Sequence, residues 1–82
     1  MVDVVVYSAQ WCGQCKPFKQ SLSAAGVEYL EVDVDAYPEK AAEKGVRSLP
    51  TTLIMNGDLV EATVIGNNTK KVIELLGSMK SE

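Results

Sequence analysis

The 82-residue chain has no histidine, one tryptophan, one phenylalanine and only two cysteines. Without an imidazole, serine-histidine and cysteine-histidine nucleophile arrangements and histidine-ligated metal sites are excluded by composition. No stretch approaches the roughly 18 consecutive apolar residues of a membrane span. Met1-Val2-Asp3-Val4 carries no basic leader, so neither export nor membrane insertion is expected. Charge is also thin: 8 basic against 11 acidic residues give a net charge of -3, with no block of one sign. Nucleic acid and anionic membranes are therefore not expected partners.

What remains is a globular composition, 46% hydrophobic and 23% charged, which argues against a disordered chain. Residues 1–82 are read as one domain with one small core, with a stability on the order of 5–10 kcal/mol. The cysteines stand three positions apart in Trp11-Cys12-Gly13-Gln14-Cys15-Lys16. In a chain expected to be cytoplasmic, such a pair stays mostly reduced and is read first as a redox dithiol. As a structural staple it would close too short a loop to remove much unfolded-state entropy. As half of a zinc site it lacks two further ligands, and no metal or other cofactor is expected.

The pattern around the pair is a strand running into a helix. Val2 to Tyr7 is apolar on both faces, as a central strand must be. Cys15, Phe18, Leu22 and Ala25 follow at helical spacing, so a helix is expected from about Cys12 or Gly13 to Ala25, stopped by Gly26. Pro17 lies early enough in it to lose only a bond to the Gly13 carbonyl. Val27 to Val34 alternates as a second strand, with Leu30, Val32 and Val34 on one side and Glu31 and Asp33 on the other. Strand, helix and strand in this span make a right-handed crossover and a parallel pair. Asp35 then reads as the N-cap of a short helix that begins at Pro38-Glu39, docks through Ala41 and Ala42 and ends at Gly45. Thr51–Met55 and Leu59–Ile65 flank Asn56-Gly57, the signature of a two-residue hairpin turn. Val60, Ala62 and Val64 are expected on one face of the second hairpin strand, Glu61 and Thr63 on the other. Asn68 or Thr69 caps a last helix with a Val72, Leu75, Leu76 and Met79 stripe, and Lys80-Ser81-Glu82 are expected to fray.

This α/β order, β-α-β-α-β-β-α, resembles the thioredoxin fold in its smallest form: a four-stranded mixed sheet flanked by three helices. Trp11-Cys12-Gly13-Gln14-Cys15-Lys16 is similar to the thioredoxin signature Trp-Cys-Gly-Pro-Cys-Lys. Gly45-Val46-Arg47-Ser48-Leu49-Pro50-Thr51 is similar to the segment that ends in a cis-proline and enters the third strand, and Ile65-Gly66-Asn67 to the glycine turn before the last helix. In length the chain is closer to glutaredoxins and NrdH-redoxins. The resemblance implies a disulfide reductase that is itself reduced by thioredoxin reductase. Its clients would be disulfide-bearing proteins, ribonucleotide reductase among them, and it would act as a monomer. It also implies a shallow docking face of Trp11, Gly13, Gln14, Leu49, Pro50, Thr51, Gly66 and Asn67, with the Leu49 backbone pairing to an extended client segment.

The spacing itself assigns roles. Three positions apart on a helix, the two sulfurs reach bonding distance with little backbone movement. Cys12 at the helix mouth faces unpaired N–H groups and the positive end of the dipole, which favour its thiolate, so it is read as the nucleophile. Cys15, one turn in and more buried, is read as the resolving thiol. The departures from the family pattern matter too. Gln14 replaces the proline between the cysteines, Val6 stands where thioredoxins bury an aspartate, and Glu31 stands where they place a neighbouring lysine. A glutathione-dependent glutaredoxin is the alternative enzyme. Gly13-Gln14 and Gly66-Asn67 weaken it by replacing Pro-Tyr and Gly-Gly, although Lys16, Lys70 and Lys71 could still meet glutathione carboxylates. A thioredoxin-like binding subunit is the non-catalytic alternative.

Overall fold

A strand with apolar side chains on both faces needs cover on both, and β1 (Val2–Ser8) receives it. In the computed structural model, which describes residues 2–80, β1 is flanked by β2 (Leu30–Asp33) and β3 (Thr51–Asn56), and β4 (Leu59–Ile65) closes the order β2-β1-β3-β4. β1 runs parallel to β2 and antiparallel to β3, and β3 and β4 form an antiparallel hairpin. Helix α1 (Cys15–Ala24) makes the crossover from β1 to β2, α2 (Pro38–Glu43) links β2 to β3, and α3 (Thr69–Lys80) follows β4. This is the mixed sheet with three helices expected from the sequence.

Alternation along the strands divides the core in two. On one face Val4, Val6 and Val64 pack against Phe18 and Leu22 of α1 and Val72 of α3. On the other, Tyr7, Leu53 and Met55 pack against Ala41 of α2, with Val5, Val32, Val34, Val46 and Leu49 partly buried around them. Phe18, Leu22, Val6, Ile54 and Val72 are fully enclosed. Each contributes about 1.5–3 kcal/mol by leaving water.

Local chemistry moved several boundaries. α1 starts at Cys15, because Gly13 and Gln14 form a turn. Pro17 then falls in the first turn, where no N–H partner exists to be lost. The C-terminus of α1 is a Schellman motif: Gly26 has φ 78°, Val27 N–H bonds Leu22 C=O and Gly26 N–H bonds Ser23 C=O. β2 is shorter than expected. Val27 and Tyr29 pack on the α1 side in irregular backbone, and Leu30 stays 61% exposed at the sheet edge while Val32 and Val34 are covered.

Asp35 is not a cap. Tyr37 occupies that position, and Asp35 N–H instead closes a turn onto Asp33 Oδ1. Ala42 is exposed where Ala41 is buried. The hairpin turn is Gly57-Asp58, one residue later than expected, since Asn56 still pairs with Leu59. Gly57 takes φ 62° and Asp58 no positive φ, the pattern of a II′ turn. Opposite Ile54 and Met55, β4 carries an extra residue, Glu61, because Met55 pairs with Val60 and Ile54 with Ala62. This bulge puts Val60 on the opposite face from Ala62 and Val64. Asn68 caps α3, its Oδ1 accepting from Lys71 N–H, and Val72 is buried with Leu75, Leu76 and Met79 half-buried. Lys80 belongs to that helix; Ser81 and Glu82 lie outside the described residues.

Candidate active site

Parallel strands deliver their C-terminal ends to one rim of a sheet. Here the ends of β1 and β2 meet the start of β3 and the end of β4 there. From that rim residues 9–14 loop over to α1, held by Cys12 N–H on Ala9 C=O at 3.2 Å and Cys15 N–H on Cys12 C=O at 3.3 Å. Cys12 and Cys15 are joined as a disulfide with Cα atoms 5.4 Å apart. Cys15 is 1% exposed as the first buried residue of α1, while Cys12 is half-buried in the loop. Gln14 makes no side-chain cap and no acidic residue lies in the first turn of α1.

The other expected site residues gather at the same rim. Trp11 is 70% exposed, and its Nε1–H donates to Asp35 Oδ2 at 2.8 Å. Gly13 and Gln14 are exposed. The Leu49-Pro50 peptide is cis, and continuing the Tyr7–Thr51 register by one residue sets Pro50 beside Ser8, where the redox loop leaves the sheet. Leu49 is half-buried against the α2-side core. Thr51 is buried, its hydroxyl donating to Ser48 C=O at 2.6 Å. Gly66, at φ 88°, gives its N–H to Pro50 C=O at 2.8 Å and ties the turn after β4 to the proline; Asn67 beside it is exposed. Lys16, Lys70 and Lys71 are exposed.

Three residues at this rim were not singled out from the sequence as part of the site. Asp35 anchors Trp11 across 24 positions of chain, a pairing that carries no local signal. Ile65, paired with Thr51, is 65% exposed next to Gly66 and extends the apolar surface of the rim. Ser8, 1% exposed, donates its hydroxyl to Glu31 Oε2 at 2.6 Å, and Lys19 Nζ meets the same oxygen at 2.6 Å. The hydrogen bond from Lys19, then that from Ser8, holds the Glu31 carboxyl below its ordinary value, with partial burial working against them. Burial, helped by the Glu43 carboxylate, pushes the Tyr7 phenol up. Among the described residues no group of three or more His, Cys, Asp or Glu side chains is placed to hold a metal ion. Surface concavities lie toward the opposite end of the sheet, lined by Val2, Val4, Gly26 and Val27. Along the rim itself Trp11, Gly13, Gln14, Ile65 and Asn67 are exposed.

Comparison with known proteins agrees with this geometry. The thioredoxin family model matches residues 2–78. Thioredoxin of Streptomyces clavuligerus is 32% identical over 75 residues, 85% of this chain and 70% of that protein. Thioredoxin Asp f 28 of Aspergillus fumigatus is 33% identical over 84 aligned residues, 95% of this chain and 78% of that protein. Among solved structures, Fasciola hepatica thioredoxin superposes with a TM-score of 0.86 at 30% identity over 94% of this chain and 79% of that one. Nicotiana alata thioredoxin NaTrxh gives 0.88 at 27% identity, over 94% of this chain and 71% of that one. With a matching family model over nearly its whole length and a Cys12–Cys15 pair at bonding distance, the chain belongs to the thioredoxin family and is a dithiol-disulfide oxidoreductase.

Proposed function

We propose that the protein reduces disulfides of client proteins with Cys12 as nucleophile and Cys15 as resolving thiol. The unequal burial of the two cysteines at the mouth of α1 carries this reading. The Cys12 thiolate, favoured by the helix end, attacks a client disulfide; the Cys12–client bond then breaks as Cys15 closes the internal disulfide. Trp11, Gly13, Gln14, Leu49, Pro50, Thr51, Gly66 and Asn67 form the docking face, along which an extended client segment pairs with the Leu49 backbone. The electrons come from thioredoxin reductase. Val6 and Glu31, two of the positions that depart from the thioredoxin pattern, support ribonucleotide reductase as a client. The protein works as a monomer in the cytoplasm.

Two reduction assays on the oxidised protein test this, one with NADPH and thioredoxin reductase and one with glutathione and glutathione reductase, each followed by Trp11 fluorescence and free thiols. Fast turnover with thioredoxin reductase alone is expected. Preference for glutathione would move the protein to the glutaredoxins, with Lys16, Lys70 and Lys71 recast as ligands of the tripeptide. Failure to speed insulin reduction by dithiothreitol would leave only a binding subunit.

A further inference from the structure

Cys15 faces a difficulty that Cys12 does not. At 1% exposure its thiol proton has no direct way to water once the disulfide is reduced, yet closing the disulfide again requires the thiolate. The chain has no histidine, and the inner face of β1 below α1 carries Val6, which is fully buried.

One polar path leads out. A crossover helix runs back over the strands it connects, so the first residue of α1 lies over the C-terminal end of β1. There Ser8 shares the face of Val4 and Val6 by alternation along the strand. Cys15 and Lys19, four apart, share one side of α1. Lys19 Nζ and Ser8 Oγ both meet Glu31 Oε2, each at 2.6 Å, and the Glu31 side chain is 42% exposed. The path therefore begins at Ser8, buried on the face of the sheet that α1 covers, and ends at a carboxylate in contact with water. A hydroxyl both donates and accepts, which such a link requires.

We propose that Ser8 and Glu31 form the proton exit of the resolving thiol Cys15, with Lys19 holding the carboxylate in place. This rests on the assignment of Cys15 above. In the step, Cys15 S–H yields its proton toward Ser8 Oγ while the Ser8 proton passes to Glu31 Oε2 and from there to solvent. The Cys15 thiolate forms the bond to Cys12 Sγ as the Cys12–client disulfide breaks. The electron pair of that bond leaves on the client sulfur, which takes a proton from water. The protein dithiol is oxidised by two electrons and the client disulfide is reduced by the same two. The charged groups near Glu31 are Lys19 on α1, Asp33 two residues along β2, and Glu28 and Asp3, which line the adjoining groove. Lys19 is the one that pairs with it.

The test mixes reduced protein with a stoichiometric amount of dithiobis-nitrobenzoate in a stopped-flow instrument. Attack by Cys12 releases one coloured thiolate and resolution by Cys15 releases the second, so the two steps separate in time. Glu31→Gln and Ser8→Ala are expected to slow the second phase relative to the first by about tenfold or more near neutral pH. That gap should narrow as pH rises and hydroxide takes over, and Ser8→Thr, which keeps a hydroxyl, should restore the rate. A second phase that is unchanged, or slowed by one factor at every pH, overturns the proton exit. A second phase that persists in Cys15→Ser overturns the assignment of Cys15 itself, a distinct failure. Glu31 is half-exposed, so Glu31→Gln carries the test alone if Ser8→Ala does not fold.

Discussion

The indole of Trp11 is fastened to the carboxylate of Asp35, Nε1 to Oδ2 at 2.8 Å, joining the residue before the first cysteine to the turn that leaves β2. An exposed aromatic without such a tether would sample many rotamers. Asp35→Ala should release it, changing the Trp11 emission and lowering kcat/KM for insulin reduction several-fold. Because the bond is exposed, stability should fall by less than about 1 kcal/mol. Unchanged emission and kinetics together would show that the tether does not order the indole.

The unequal burial of the cysteines predicts unequal mutants. Cys12→Ser should drop disulfide reductase activity to background. Cys15→Ser should still attack clients and accumulate mixed disulfides visible on non-reducing gels. If Cys12→Ser stays active and Cys15→Ser traps nothing, the roles are reversed.

Glu31 predicts a pH dependence of stability. Its carboxyl is held below the ordinary value of 4.5, so it binds a proton more readily unfolded than folded. Its contribution is therefore complete above that value and is lost as pH falls through the lower folded value. For so exposed a pair the amount is about half a kcal/mol after solvent screening. Lys19→Met should remove most of this acid sensitivity in urea titrations between neutral and strongly acidic pH.

Two glycines should respond oppositely to alanine. At Gly66 an added Cβ meets no atom within 4 Å, but φ is 88°, so Gly66→Ala should cost about 1–2 kcal/mol through backbone strain alone. At Gly77, inside α3 with equally open surroundings and no positive φ, Gly77→Ala should add about 0.5–1 kcal/mol. Denaturant midpoints measure both.

Thr52 is fully buried, and among the described residues its hydroxyl has no hydrogen-bond partner. Valine has nearly the same shape without the stranded oxygen. Thr52→Val should raise stability by about 1 kcal/mol, read as a higher unfolding midpoint; a lower one would reveal a partner for the hydroxyl.

Long-range order was readable wherever it follows from local periodicity. The three successive valines announced a strand covered on both faces, the Cys15, Phe18 and Leu22 spacing announced the buried side of α1, and Gly26 announced its end. What escaped depends on groups that meet only after folding. Asp35 has the chemistry of a cap, and only the arrival of Trp11 from 24 residues away gives it another partner. The turn at Gly57-Asp58 and the bulge at Glu61 together set the hairpin register, which pairs Asn56 with Leu59 but Ile54 with Ala62. Val27 and Tyr29 alternate like a strand, yet the β1–β2 pairing begins only at Val5 and Leu30, and the two side chains pack instead on the α1-side core. Ser8, a short polar residue, lies just past the apolar run Val2 to Tyr7. Its burial and its bond to Glu31 follow from β2 lying alongside.

The bulge at Glu61 also bears on how the molecule behaves in a crowd. β4 is an outer strand with Leu59, Val60 and Ile65 substantially exposed, the kind of border on which a second chain could add itself as another strand. The extra residue interrupts the even row of backbone donors and acceptors midway along that border and places a carboxylate at the break. A strand laid along this border would find no continuous run of backbone groups to zip onto, because the register breaks at Glu61.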